Sequence, residues 1–296
     1  PMATRVKQIE LGLQRWRESS INITNPPYYF RVNIPQFELE VWANDERIRV
    51  HRIVVGNRNE ETSIERRQRG QFNHTPLLEK EVTTVVLNPL WFPPPRLQKE
   101  LLEDMVREPD FFEKNNYGIK MKEDGSEIIF QKAGPSNALG LVKFLFPNEH
   151  HVYLHDTPAK PLFERPIRAY SHGCMRLDKP LDLARHVLER FNQMTEDDVK
   201  EILEKEKEYY IKLKTPIPIF VEYISVGADE EGWVHFYIDI YKYDLAYWEN
   251  RLPVELAEDL TSAEVKRLTK TGDATNAAID SLDEPGAEDG VVPGPD

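Results

Sequence analysis

The chain has 296 residues, 40% hydrophobic and 30% charged, with 22 prolines, one cysteine and a net charge of -13. That length supports one large domain or two small ones around a buried core. The apolar runs are too short to span a bilayer, and a single cysteine excludes an internal disulfide framework. Seven acidic groups and no lysine or arginine fall in residues 271–296, so the body is only mildly acidic. Nucleic-acid binding is disfavoured, and the small cluster of Arg66, Arg67 and Arg69 reads as a polar loop.

The start, Pro1-Met2-Ala3, has no charged head followed by an apolar stretch. With its proline ahead of the methionine, the chain is expected to be a piece of a longer precursor. Residues 1–20 form a lead-in helix, with Val6, Ile9, Leu13 and Trp16 on one face. Tyr28 to Ile34, Phe37 to Trp42 and Arg47 to Val55 are β-rich runs separated by Pro35 and turn residues, and predict consecutive antiparallel strands. Val82 to Leu87 predicts another strand. Asn88-Pro89-Leu90-Trp91-Phe92-Pro93-Pro94-Pro95 then breaks the pattern, and Leu97, Leu101 and Met105 follow on one helical face. Residues 88–132 are expected to be a helical cap inserted on the sheet, pinned by Trp91.

Leu139 to Phe146 and His151 to His155 predict strands, the second with His151, Tyr153 and His155 on one face. Asp178 is expected to cap a helix with Pro180 in its first turn and Leu183, Ala184, Val187, Leu188 and Phe191 as its buried stripe. Cys174 would then lie in the turn that enters this helix. Thr195 with Asp198 opens a second helix to about Glu208. Pro216 to Val226 and Trp233 to Tyr241 predict a hairpin. Residues 251–270 read as a last amphipathic helix, and 271–296 as a disordered acidic tail.

Ser171-His172-Gly173-Cys174-Met175-Arg176 holds the only cysteine. Alone, a cysteine is more often a buried hydrophobe than a nucleophile, but a preceding glycine and flanking His172 and Arg176 argue against an apolar core position. A thiol nucleophile needs a base, a group that orients the base, and donors for the oxyanion. His155 and His172 compete as base. The i, i+2 offset of His172 from Cys174 favours His155, and the amides of Gly173 and Cys174 are the natural oxyanion donors. Zinc fits the same residues poorly: His151 and His155 on a strand stand about 13 Å apart, and no second cysteine exists. Ser171 has no advantage as nucleophile beside a thiol.

His155-Asp156-Thr157-Pro158 followed by Ser171-His172-Gly173-Cys174-Met175-Arg176 resembles the signature of the L,D-transpeptidases with the YkuD-type catalytic domain, and most closely the YcbB-type branch. Val55-Gly56, Thr75-Pro76, Asn88-Pro89-Leu90-Trp91, Gly134 to Gly140 and Asp239 to Leu245 extend that resemblance in order. It implies an α+β, mainly β fold: a YkuD-like β-sandwich catalytic domain over residues 21–250 with an inserted capping subdomain. It also implies Cys174 as the acylated nucleophile, His155 as proton shuttle, and the Asp156 carbonyl as the group orienting the imidazole. His172 and Gly173 would shape the oxyanion site. Arg176, Tyr153, Trp91 and Ser171 would line the substrate cleft. The bland alternatives stay open: a structural salt bridge for Arg176, sheet packing for Tyr153, a core anchor for Trp91.

The reaction so implied joins two peptidoglycan stem peptides, a donor tetrapeptide and an acceptor stem, through a cysteine thioester in the periplasm or cell envelope. It needs no metal or organic cofactor, would be open to covalent inhibition by carbapenems, and would meet a membrane only through segments upstream of this piece. Hydrolysis of stems or wall-protein links by the same thiol, and a non-catalytic wall-binding module, are the rival readings.

Overall fold

The computed structural model describes residues 2–58, 73–122 and 125–251, in two units, residues 1–241 and 242–296. The expected 251–270 helix beyond Arg251, the acidic tail and the Arg66 cluster lie outside the described residues. Of the second unit, helix α7 (Tyr243–Arg251) is described. Among the described residues no helix is long and apolar enough to cross a membrane.

The first unit is built on a nine-stranded sheet. Its strands are β1 (Tyr28–Asn33), β2 (Glu38–Ala43), β3 (Glu46–Gly56), β4 (Leu78–Leu87), β7 (Val142–Leu145), β8 (Leu154–His155), β9 (Ala169–Ser171), β10 (Met175–Leu177) and β11 (Tyr209–Glu222). Their spatial order is β10-β8-β7-β4-β11-β1-β2-β3-β9, and β10 also pairs with β3, so the sheet curls until its ends meet. The architecture is the mainly β, sandwich-like fold the sequence implied.

Aromatic and β-branched residues account for the strands. Phe30, Val32, Leu39, Val41, Ile53, Val85, Ile219 and Phe144 are all fully buried. β1, β2 and β3 are antiparallel neighbours, as expected, with Pro35 held in a short 3-10 turn. Helix α5 (Pro180–Asn192) buries Leu183, Ala184, Val187 and Leu188 against β7 and β11. Thr195 and Asp198 form a reciprocal capping box on α6 (Glu196–Glu204).

Several expectations are corrected. Asp178 does not cap α5: the N-cap is Lys179, and the Asp178 carboxylate accepts from Arg52 Nη2 at 3.1 Å. The 216–222 run belongs to the long β11, leaving a hairpin of only β12 (Val226–Ala228) and β13 (Val234–Phe236). Helix α1 (Met2–Glu18) does not bury its apolar stripe. It docks by Gln8, which donates to the Tyr237 carbonyl, by Arg15, which donates to the Tyr223 carbonyl, and by Leu11; Val6, Ile9, Leu13 and Trp16 are exposed.

The insertion between β4 and β7 is not purely helical. Helices α3 (Pro95–Arg107) and α4 (Phe111–Lys114) are followed by an antiparallel hairpin, β5 (Tyr117–Met121) with β6 (Glu127–Gln131). Its neck is closed by main-chain pairing of Trp91 with Gln131. Asn137, fully buried, donates to the carbonyls of Pro89, Gln131 and Lys132 and accepts from the Leu139 amide. That one side chain ties both legs of the insertion to the sheet.

Candidate active site

The cysteine loop is shaped by the strands on either side of it. β9 runs parallel to β3, with Gly56 opposite Ser171, and β10 returns antiparallel on the other side of β3, with Arg176 opposite Val54. Residues 172–174 therefore arch over the end of β3. Cys174 thus enters a short strand, and α5 begins only at Pro180, so the expected position in a turn entering a helix is not observed.

β10 pairs in parallel with β8: Met175 lies opposite Leu154, and Arg176 opposite His155. Met175 and Leu154 are fully buried and point into the core. Strand alternation then sends Tyr153, His155, Cys174 and Arg176 to the other face, on strands about 4.8 Å apart. The Tyr153 hydroxyl and the Cys174 thiol are hydrogen-bonded, and burial together with that thiol raises the Tyr153 pKa. The Tyr153 and His155 rings meet edge to face at 5.6 Å. His151 leaves this group: only Leu154 and His155 are in strand, and His151 is exposed with φ +56.

His155 is 6% exposed and its Nδ1 lies 2.5 Å from the Asp156 carbonyl oxygen. A carbonyl only accepts, so Nδ1 carries the proton and Nε2 presents a lone pair. Burial, then the nearby Arg176 and Lys143, push the imidazole down to about 3, so it is neutral near pH 7. Lys143 is the β7 residue opposite His155 and shares its face.

Asp156 turns the chain after the histidine. Its carboxylate accepts from the Leu141 amide at 2.9 Å and the Thr157 amide at 2.7 Å, and pairs with Lys160. A Cβ at Gly140, where φ is +57, would overlap that carboxylate. Only glycine meets both conditions, the left-handed backbone and the close approach.

The arch is fastened from beneath. Ser171 is 3% exposed; its Oγ donates to the Cys174 carbonyl at 2.5 Å and accepts from the Gly173 amide at 3.2 Å. Ser171, expected against substrate, is therefore spent on holding the loop, and the Gly173 amide, expected as an oxyanion donor, is committed to Ser171. His172 is exposed at the arch. Trp91 is half-buried, and among the described residues its ring makes no ring contact with Tyr153 or His155; its main chain closes the cap's neck.

Two segments distant in sequence complete the site. Thr75, fully buried, donates from Oγ1 to the Gly173 carbonyl at 2.9 Å and accepts from the Gly56 amide at 2.9 Å. The Tyr241 hydroxyl donates to the Gly56 carbonyl at 2.6 Å and accepts from the Thr75 amide at 3.1 Å. His74 stacks on the Tyr241 ring at 3.9 Å, and burial lowers its pKa to about 4. Sequence reasoning assigned no role to Thr75, Tyr241, His74 or Lys143. The only signal was that Thr75-Pro76 and the Asp239 to Leu245 segment belonged to the resemblance.

Residues 27–228 match the family model of the L,D-transpeptidase catalytic domain, YkuD. The chain belongs to that family. Enzymes of this family are cysteine-dependent acyltransferases, and Cys174 is the only cysteine present. A Haemophilus influenzae protein named "Putative L,D-transpeptidase" is 30% identical over 231 residues, 72% of this chain and 44% of the relative. The chain thus spans less than half the length of that relative. Among solved structures, an L,D-transpeptidase from Mycobacterium smegmatis shares 12% identity with a TM-score of 0.30, over 66% of this chain and 58% of that one. L,D-transpeptidase 3 from Mycobacterium tuberculosis, in complex with a faropenem-derived adduct, shares 13% with a TM-score of 0.29, over 67% and 60%.

Proposed function

We propose that this L,D-transpeptidase domain forms 3-3 cross-links in peptidoglycan through a thioester on Cys174. The observation that carries the reading is the shared face of Tyr153, His155, Cys174 and Arg176, with the Tyr153 hydroxyl on the thiol and a neutral imidazole beside it. In the first step the thiol loses its proton to the imidazole and sulfur attacks the L-centre carbonyl of the donor stem's third residue, a diaminopimelate. The tetrahedral oxyanion collapses, the bond to terminal D-alanine breaks, and the histidine returns its proton to the leaving amine. In the second, the side-chain amine of another stem attacks the thioester, gives its proton to the same histidine, and releases the thiol.

Arg176 and Lys143 add positive charge on this face, where the oxyanion and the donor's terminal carboxylate would be negative. The inserted cap would exclude water from the thioester, since hydrolysis competes with transfer. The reaction belongs to the cell envelope, and the insertion with the motifs quoted above supports the YcbB-type branch. Carbapenems would acylate the same sulfur by ring opening.

Incubation with a disaccharide-tetrapeptide, read by mass, tests the proposal. Cross-linked dimer with free D-alanine is expected, and tripeptide without dimer would sink the transferase reading. A Cys174→Ala variant that kept full activity would remove the thiol mechanism altogether.

A further inference from the structure

We infer that Thr75 is a positioning residue for acyl transfer: its hydroxyl, pulling the Gly173 carbonyl inward, aims the Cys174 amide toward the position of the oxyanion. The inference rests on the thiol reading of the preceding section. In a trans peptide the carbonyl of one residue and the N–H of the next point in opposite directions. Whatever fixes the Gly173 carbonyl therefore fixes the direction of the Cys174 N–H.

Thr75 fixes it. Its Oγ1 already accepts from the Gly56 amide at 2.9 Å, so its one proton is directed to the Gly173 oxygen, also at 2.9 Å. Thr75 is fully buried beneath the arch, which turns the Cys174 amide away from the interior. The following plane is fixed in the same way. Ser171 Oγ holds the Cys174 carbonyl on one side, and the Met175 amide donates to the Tyr153 carbonyl, at 3.0 Å, on the other. With the Gly173 amide committed to Ser171, the Cys174 amide is the main-chain donor whose direction matters most to an acylation at this sulfur.

The support behind Thr75 is itself specific. The Tyr241 hydroxyl bridges the Gly56 carbonyl and the Thr75 amide, and its own backbone amide donates to the Tyr223 hydroxyl at 2.9 Å. A Cβ at Gly56 would overlap the Asn73 carbonyl, so the segment bearing Thr75 can lie flat on the end of β3 only over a glycine. Gly173, with φ +116, completes the approach from above.

Two reactions of one sulfur test this. Acylation by a carbapenem forms the sulfur–carbonyl bond, breaks the ring amide and moves the thiol proton to the ring nitrogen, passing through an oxyanion. Alkylation by iodoacetamide displaces iodide and forms none. In Thr75→Val the acylation rate is expected to fall at least about tenfold, with the alkylation rate and its pH profile retained; Thr75→Ser restores acylation. Equal loss in both reactions, or acylation within twofold of wild type, overturns the inference. Should Thr75→Val not fold, Tyr241→Phe decides by the same split: selective loss of acylation supports it, parallel loss or none refutes it. Failure of the underlying reading looks different: wild-type protein is then alkylated at Cys174 but never acylated, which overturns both.

Discussion

Acid should destabilise this domain through His155. His155 is 6% exposed and held at about 3 against an ordinary 6.5, chiefly by burial. A base with a lowered folded pKa is protonated first in the unfolded chain. Below pH 6.5 the unfolded state therefore binds more protons, and stability falls with pH until the folded value near 3 is reached. Between pH 7.5 and 5.0 the loss from this one group is about 2 kcal/mol, a sizeable share of a domain's stability. The assay is urea unfolding of wild type and His155→Gln at both pH values; glutamine can donate to the Asp156 carbonyl but does not titrate. His51, His74 and His186 also sit below their ordinary values through burial and contribute the same sign, and the comparison with the variant cancels them. Wild type should lose about 2 kcal/mol more than His155→Gln. Parallel losses in the two proteins would refute the claim that His155 is buried as a neutral imidazole.

Three further outcomes are expected. Tyr153→Phe removes the hydroxyl bonded to the thiol, so iodoacetamide should alkylate Cys174 more slowly at neutral pH, the difference closing at high pH where the thiol ionises unaided. Gly140→Ala forces a side chain into left-handed backbone and onto the Asp156 carboxylate, costing about 2 kcal/mol or more in thermal or denaturant unfolding, with activity falling as the turn after His155 shifts. Asn137→Ala strips the carbonyls of Pro89, Gln131 and Lys132 of their shared donor, so hydrogen exchange across residues 131–139 should quicken and the ratio of hydrolysis to transfer should rise.

The sheet was legible because its strands announce themselves locally. Val85 and Val86 of β4 are β-branched and fully buried, and Pro35 marks the break between β1 and β2. The helix Pro180–Asn192 was legible for the same reason, its stripe repeating at helical spacing. What failed was whatever depended on partners remote in sequence. The stripe on α1 has the right period, yet the carbonyls of Tyr223 and Tyr237, just past the ends of β11 and β13, reward its polar face instead. Asp178 has the chemistry of a helix cap, but Arg52, 126 residues away, provides a charged partner. Cys174 and His155 stand in short, recognisable motifs. The threonine that supports the arch stands alone, 98 residues from the carbonyl it holds, and carries no mark in sequence of what it touches.

The charges around His155 reconcile two demands that would otherwise conflict. A histidine meant to accept a thiol proton gains from a higher pKa, whereas Arg176 and Lys143, both on its face, lower it. In the reaction proposed above, the same two cations would favour every species that bears negative charge: the thiolate, the tetrahedral oxyanion and the carboxylate of a departing D-amino acid. Protonated histidine would in that reaction be a transient, disfavoured beside two cations and quick to return its proton to the leaving amine. Cations that weaken the resting base and strengthen binding of the anionic transition state would, on the proposed mechanism, place the site's complementarity where it accelerates acyl transfer, and not in a stable thiolate–imidazolium pair.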